Sequence, residues 1–359
     1  MALIRHADIW FPSFARGRME RWLRPKPKPE RLWFTLADHF EPLWRQAGED
    51  LAEERVRAWR KGWPEISRRN VDSTGRGAQY SFFYPQEEYR AQFLDRLAEM
   101  VRMGLGDVEV HLHHCNDTEA GFIEKIEGFT RRLHNDHALL RKVDGKLTFG
   151  FIHGNWALDN SRPDGLWCGL NNEITLLRRL NCYADFTMPS GGDATQARQV
   201  NQIYWAIDDP AKPRSHDRGP VVRVGQWEPG DLLMIPGPIG VRWGEGRFRV
   251  RLEAGELAAN DVATAARVRR WLDLAPSIGS DIFVKLHTHG AQDRNVAALL
   301  SGELDNVFRL LTAECHRRQV ELHYVTAWEM RQAVERAARG AKPVSQASGV
   351  ERRALESSL

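Results

Sequence analysis

Residues 108–117 read Val108-Glu109-Val110-His111-Leu112-His113-His114-Cys115-Asn116-Asp117. Apolar and polar residues alternate from Val108 to His113, the period of a β-strand whose two faces differ. Side chains two apart on a strand share a face, so His111 and His113 point one way and His114 the other. His114 to Asp117 makes a polar turn. A helix follows from about Thr118, with Phe122, Ile123, Ile126, Phe129 and Leu133 on one face. Two imidazoles and a carboxylate at the carboxyl end of a strand are donors suited to zinc or a similar divalent ion.

The same strand-turn-helix unit recurs outward in both directions. Buried strands are predicted at 32–37, 80–84, 146–153, 184–188, 281–286 and 321–326. Helices are predicted at 52–62, closing before Pro64, and then at 86–103, 173–180, 261–274, 304–319 and 327–338. Strands alternating with helices predict the α/β class, with a mainly parallel sheet or barrel. Between 203 and 257 the pattern changes to short β-like pieces separated by Gly and Pro, which predicts an antiparallel β-rich insertion. Residues 1–30 form a basic, aromatic extension, residues 31–340 the main domain, and residues 341–359 a polar, disordered tail.

The chain has 359 residues, 42% of them hydrophobic, enough for one large α/β domain with additions. A net charge of +3, with arginines spread rather than clustered, does not call for nucleic acid. The four cysteines, Cys115, Cys168, Cys182 and Cys315, form no CxxC pair and point to a reducing compartment. No apolar run resembles a signal peptide or a membrane span, so a cytoplasmic location is expected. Trp10, Phe11, Trp22 and Leu23 among Arg16, Arg18 and Arg21 suit peripheral contact with an anionic membrane, or packing against the domain.

Histidines and acids gather at the carboxyl ends of the expected strands, where α/β folds build their sites. Asp38 and His39 follow the first strand, and His113, His114 and Asp117 the third. His153, Asn155 and Trp156 follow the fourth, and His287 and His289 the late strand at 281–286. His39, His113 and Asp117 supply three N/O ligands, with His111 as the alternative third. Asp38 stands as general base, and His287 as the group that protonates a leaving group or polarises a carbonyl. His153, Asn155, Trp156 and His289 are expected to contact substrate. Asp208-Asp209-Pro210 reads as turn chemistry.

In motif order the chain resembles the NodB-type polysaccharide deacetylases of the glycoside hydrolase/deacetylase superfamily. The family's Thr-Phe-Asp-Asp-Gly corresponds to Leu36-Ala37-Asp38-His39-Phe40, which implies Asp38 as base and His39 as a ligand in place of an Asp. Its His-x-x-x-His has the spacing of His113 to Asp117, with Asp117 replacing the second His. Its Leu-His strand end looks like Leu286-His287. No Arg-Pro-Pro-Tyr motif is present; Ile152-His153-Gly154-Asn155-Trp156 stands near its place. The resemblance spans roughly residues 31–330. It implies a distorted (β/α)7-type barrel holding a divalent metal, zinc first, with cobalt, nickel or manganese as alternatives. It also implies a metal-dependent carbohydrate deacetylase, acting on N- or O-acetyl groups in bacterial surface-polysaccharide biosynthesis, with a sugar or lipid-linked glycan as substrate. The alternatives are a glycoside hydrolase using Asp38 or Asp117 with Asp185 or Asp208, and an inactive glycan-binding or scaffold protein.

Overall fold

The structure, a computed structural model, describes residues 6–23, 27–227, 229–243 and 250–340. The expected tail at 341–359, and residues 1–5 and 24–26 of the N-terminal extension, lie outside the described residues.

The sequence folds as a mixed α/β domain around one large, mostly parallel sheet. The first strands in chain order are β1 (Arg31–His39), β2 (Tyr80–Pro85), β3 (Gly106–Leu112), β4 (Arg141–Val143), β5 (Lys146–His153) and β6 (Cys182–Asp185). Then come β7 (Tyr204–Ala206), β8 (Leu232–Met234), β9 (Gly240–Trp243), β10 (Val250–Glu253) and β11 (Glu256–Leu257). The last are β12 (Ser277–Ile278), β13 (Asp281–Thr288) and β14 (Glu321–Tyr324). The order across the sheet is β11-β13-β1-β2-β3-β5-β6-β8-β7. No pairing among the described residues joins the β7 edge to the β11 edge.

The segment expected as an insertion at 203–257 is woven into the sheet. β8 runs parallel to β6 with β7 antiparallel beside it, and β11 runs parallel to β13 at the other edge. β9 and β10 form a separate antiparallel ribbon.

Strand alternation splits the core in two. Leu32, Phe34, Leu36 and Phe40 of the first strand region face the layer of flanking helices, with Val110, Leu112, Phe151, Val284 and Leu286. We call this the outer face. Ala37, Phe83, Ile152 and Phe283 share the inner face, against which the last helix, Ala327–Arg339, packs Met330 and Val334. That helix opens with a capping box, Thr326 and Glu329 each accepting the other's backbone N–H.

The helix Glu49–Arg69 buries Ala52, Val56, Trp59, Trp63 and Ile66, a stripe at helical spacing on the outer core. It runs past Pro64, where the sequence suggested an end. Proline removes one hydrogen bond, but Trp59 and Trp63 before it and Ile66 after it are fully buried. Each such side chain contributes about 1.5–3 kcal/mol, which outweighs that loss.

The N-terminal helix Ala7–Leu23 packs Trp10 and Phe14 on Val200, Ile239 and Leu274, while Phe11, Met19, Trp22 and Leu23 stay exposed. No helix of the described residues is long and apolar enough to cross a membrane.

Candidate metal centre

Parallel pairing brings the carboxyl ends of β1, β2, β3 and β13 side by side. Ala37 of β1 is level with His287 of β13, and Pro85 of β2 with His111 of β3. Inner-face parity then gathers His39, His111 and His287 at one place. Glu41, two residues beyond His39, keeps the same phase. His39, Glu41 and His111 are all buried, and one ligand atom of each lies within 4.8 Å of the others.

Each donor is aimed. His111 Nδ1 donates to the Ile152 carbonyl at 2.9 Å, which leaves Nε2 bare and 3.3 Å from Glu41 Oε1. His113 Nδ1 is hydrogen-bonded to the Glu87 carboxylate, so its Nε2 also turns toward Glu41 Oε1, at 3.5 Å. His39 Nε2 and Glu41 Oε2 are buried with no hydrogen-bond partner among the described residues. Buried polar atoms are nearly always satisfied. Two orphans beside a pair of histidine acceptors leave a set of lone pairs that a cation would complete.

The electrostatics agree. Burial, with His289, His111 and His287 around it, holds His39 well below the usual histidine range, so it is a neutral ligand. Burial alone would raise Glu41, but the close contact with His111 and the neighbouring His289 and His113 outweigh it and hold the carboxyl below its usual range. In His113 the effect of burial is likewise overcome, here by Glu87, which raises the imidazole above its ordinary value. These buried His and Glu groups could bind a divalent metal.

A cleft of about 230 Å³ opens beside this centre, lined by His287, Trp156, Glu256 and the turn Pro189 to Gly192. The Trp156 ring lies 6.0 Å from both His39 and His289, and the His289 ring 4.7 Å from His39. His287 Nδ1 is buried without a partner. Burial beside Lys285 keeps its imidazole neutral, well below its usual range.

Of the residues singled out in the sequence, His39, His111, His113, His287, His289 and Trp156 meet here. Asn155 precedes Trp156 in the turn after β5, both with left-handed backbone, φ 54° and 55°. The others face elsewhere. Asp38 neighbours His39 on a strand and so points to the outer face. There Oδ1 accepts from Gly290 N at 2.6 Å and Oδ2 from the Tyr80 hydroxyl at 2.9 Å. Burial pushes its carboxyl up to about 8 against both hydrogen bonds. Asp117 accepts from Lys125 Nζ at 2.6 Å and lies 3.1 Å from His114, also off the inner face. His153 ends β5 on the outer face, beside His114 and Glu173. Asp208 accepts from Thr175 N at 2.9 Å.

Glu41 and Glu87, which the sequence reading passed over, also stand at this centre. Strand phase could have found Glu41, because β1 parity extended by one step places it with His39. Glu87 carries no such signal. It lies in a short turn of helix, Gln86–Glu88, after β2 and reaches His113 through the β2–β3 pairing.

No protein-family model matches the chain, and no curated protein matches it. Four solved chains match in structure. One is a 4-alpha-glucanotransferase from Thermococcus litoralis, with a TM-score of 0.42 and 12% identity over 84% of this chain. The chain spans 40% of that enzyme's length. A likeness of that degree carries no argument about activity.

Proposed function

We propose that the protein is a metal-dependent hydrolase that removes an acetyl group from an amino sugar or a sugar ester, with zinc as the first candidate metal. The observation that carries this reading is the pair of unpartnered buried atoms, His39 Nε2 and Glu41 Oε2, aimed into the same space as His111 Nε2. The chain order of His39, His113 and His287, the motif residues that meet at this centre, supports the deacetylase reading.

In this reading His39, Glu41 and His111 hold the ion, and His113, braced by Glu87, stands as a further ligand. A divalent ion bound there supplies a Lewis acid for a carbonyl oxygen and for water. The chain's own groups do the rest. The aromatic face of Trp156 stacks on a sugar ring in the cleft. Neutral His287, its Nδ1 unpartnered among the described residues, is placed to accept a proton there and pass it to the leaving nitrogen or oxygen. The buried strand ends exclude bulk water from the reacting bond.

The test is acetate release from N- and O-acetylated sugars by the purified chain, after chelation and after adding back zinc, cobalt, nickel or manganese. Metal-restored release supports the reading. No bound ion on elemental analysis, together with no restored release, overturns it. Release of reducing sugar that is insensitive to chelators would instead indicate glycosidic cleavage.

A further inference from the structure

A second group of buried donors lies on the outer face of the same strand ends. His114 follows β3, His153 ends β5, Cys168 belongs to the loop after it, and Glu173 opens the helix Glu173–Arg179. All four are buried, and one ligand atom of each lies within 4.8 Å of the rest. His114 Nε2 is 2.8 Å from His153 Nε2 and 3.1 Å from Glu173 Oε1. His153 Nε2 is 3.5 Å from that same oxygen, and Cys168 Sγ is 3.4 Å from Glu173 Oε2.

Protons alone serve this arrangement poorly. His153 Nδ1 donates to the Gly154 carbonyl at 2.5 Å, so its Nε2 is bare. His114 Nδ1 lies 3.1 Å from the Asp117 carboxylate but makes no hydrogen bond among the described residues, so the side chain's hydrogen bonds are those of Nε2. Two imidazole nitrogens and a carboxylate oxygen then converge on one dry point, with the His153 nitrogen bare and the Cys168 thiol turned to the other Glu173 oxygen. In a low-dielectric interior such a set is costly unless something positive fills it. One proton satisfies one contact, whereas a divalent cation satisfies them all.

The charge balance also fits. A thiolate and a carboxylate carry two negative charges, so a divalent ion leaves the buried site neutral. Cys168 Sγ already accepts backbone N–H groups from Asn160 at 3.3 Å and Leu170 at 3.4 Å, the contacts that stabilise a thiolate. The cysteine loop is tied to the histidine turn: Asp117 N–H donates to the Cys168 carbonyl at 2.9 Å. Gly169 makes that approach possible, since its φ is +106° and a Cβ there would meet Asp117 N at 2.7 Å.

We propose that His114, His153, Cys168 and Glu173 form a closed, four-coordinate structural zinc site, separate from the inner-face centre. Four buried protein ligands leave no position open to solvent, the arrangement of a structural rather than a catalytic zinc. Its role is to fasten the 154–172 loop, and with it the Trp156 wall of the cleft, to the ends of β3 and β5. The proposal stands whatever reaction the inner centre performs.

The test uses the full chain, stripped of metal and titrated with cobalt(II). Cys168 is the only sulfur among the donors of either centre, so the expected result is a thiolate-to-cobalt charge-transfer band in the near ultraviolet. The band is lost in a Cys168→Ser variant whose circular dichroism remains native, and kept in Glu41→Gln and in Cys115→Ser. Absence of the band in the parent, or its survival in Cys168→Ser, overturns the proposal. The unaltered chain gives a second measurement that needs no variant. X-ray absorption at the zinc edge should show a sulfur scatterer at about 2.3 Å, and a shell of nitrogen and oxygen alone overturns the assignment.

Discussion

His111 Nε2 lies 3.3 Å from Glu41 Oε1, although 70 positions separate the two residues in the chain. The contact joins the end of β3 to the end of β1 across the intervening β2. Glu41→Gln should therefore abolish ion binding at the inner centre and, with it, any acetate release. Asp117→Asn should leave inner-centre binding intact, because Asp117 faces His114 and Lys125. Elemental analysis of the two variants, each in a Cys168→Ser background to silence the outer site, decides between these ligands. Equal losses would remove Glu41 from the centre.

Glu87 acts on the centre through His113 Nδ1. Removing such an orienting carboxylate typically weakens metal affinity about 10–100-fold. Glu87→Gln should show that loss in competition titrations with a chelating dye, with thermal stability nearly unchanged because the side chain is partly solvent-exposed. An unchanged affinity would make His113 a bystander.

Gly290 closes the β13 end onto β1. A Cβ there would stand 2.2 Å from Asp38 Oδ2 and 2.8 Å from Trp59 Cζ2, both buried. Gly290→Ala should cost about 1–3 kcal/mol, the range for overpacking a filled core, read from urea denaturation midpoints. The Asp38 carboxyl, held by Gly290 N–H and the Tyr80 hydroxyl, is where the strain would fall.

Lys285 is buried on the inner face and donates to the Met188 carbonyl at 3.0 Å. Burial lowers its ammonium to about 7, with Asp185 pulling the other way. The unfolded chain holds that proton up to about 10.4, so between these values it binds more protons than the folded chain. Stability contributed by this position therefore rises with pH across that window. The stability of the parent relative to Lys285→Met should climb from pH 7 to pH 10 in chemical denaturation. A flat difference would refute the burial argument.

Much of this layout was legible in the chain. The alternation of 108–113 put His111 and His113 on one face and His114 on the other, where the structure has them. The strands that carry His39, His153 and His287 are also legible as apolar runs at 32–37, 146–153 and 281–286, and the structure extends the first and last of them to His39 and Thr288. Pairing Asp38 with His39 in one site conflicts with the period-two rule, since adjacent residues on a strand diverge. Spacing alone made Asp117 look like a ligand beside His113, but the turn carries it to the outer face. Cys168 and Glu173 were not legible, because the loop at 157–172 has no period. Its path is set by backbone contacts such as Asp117 N to the Cys168 carbonyl and by the left-handed Gly169.

The alternation at the end of β3 has an evolutionary corollary. His111 and His113 wall one chamber and His114 another, so a few residues of backbone act as a shared partition. Adding or deleting a single residue between 107 and 112 would turn every side chain beyond it to the opposite room. Both donor sets would be scrambled by one event. Surface loops elsewhere in the chain can lengthen at little thermodynamic cost, but this strand has a fixed length, and lineages that keep either chamber must keep it.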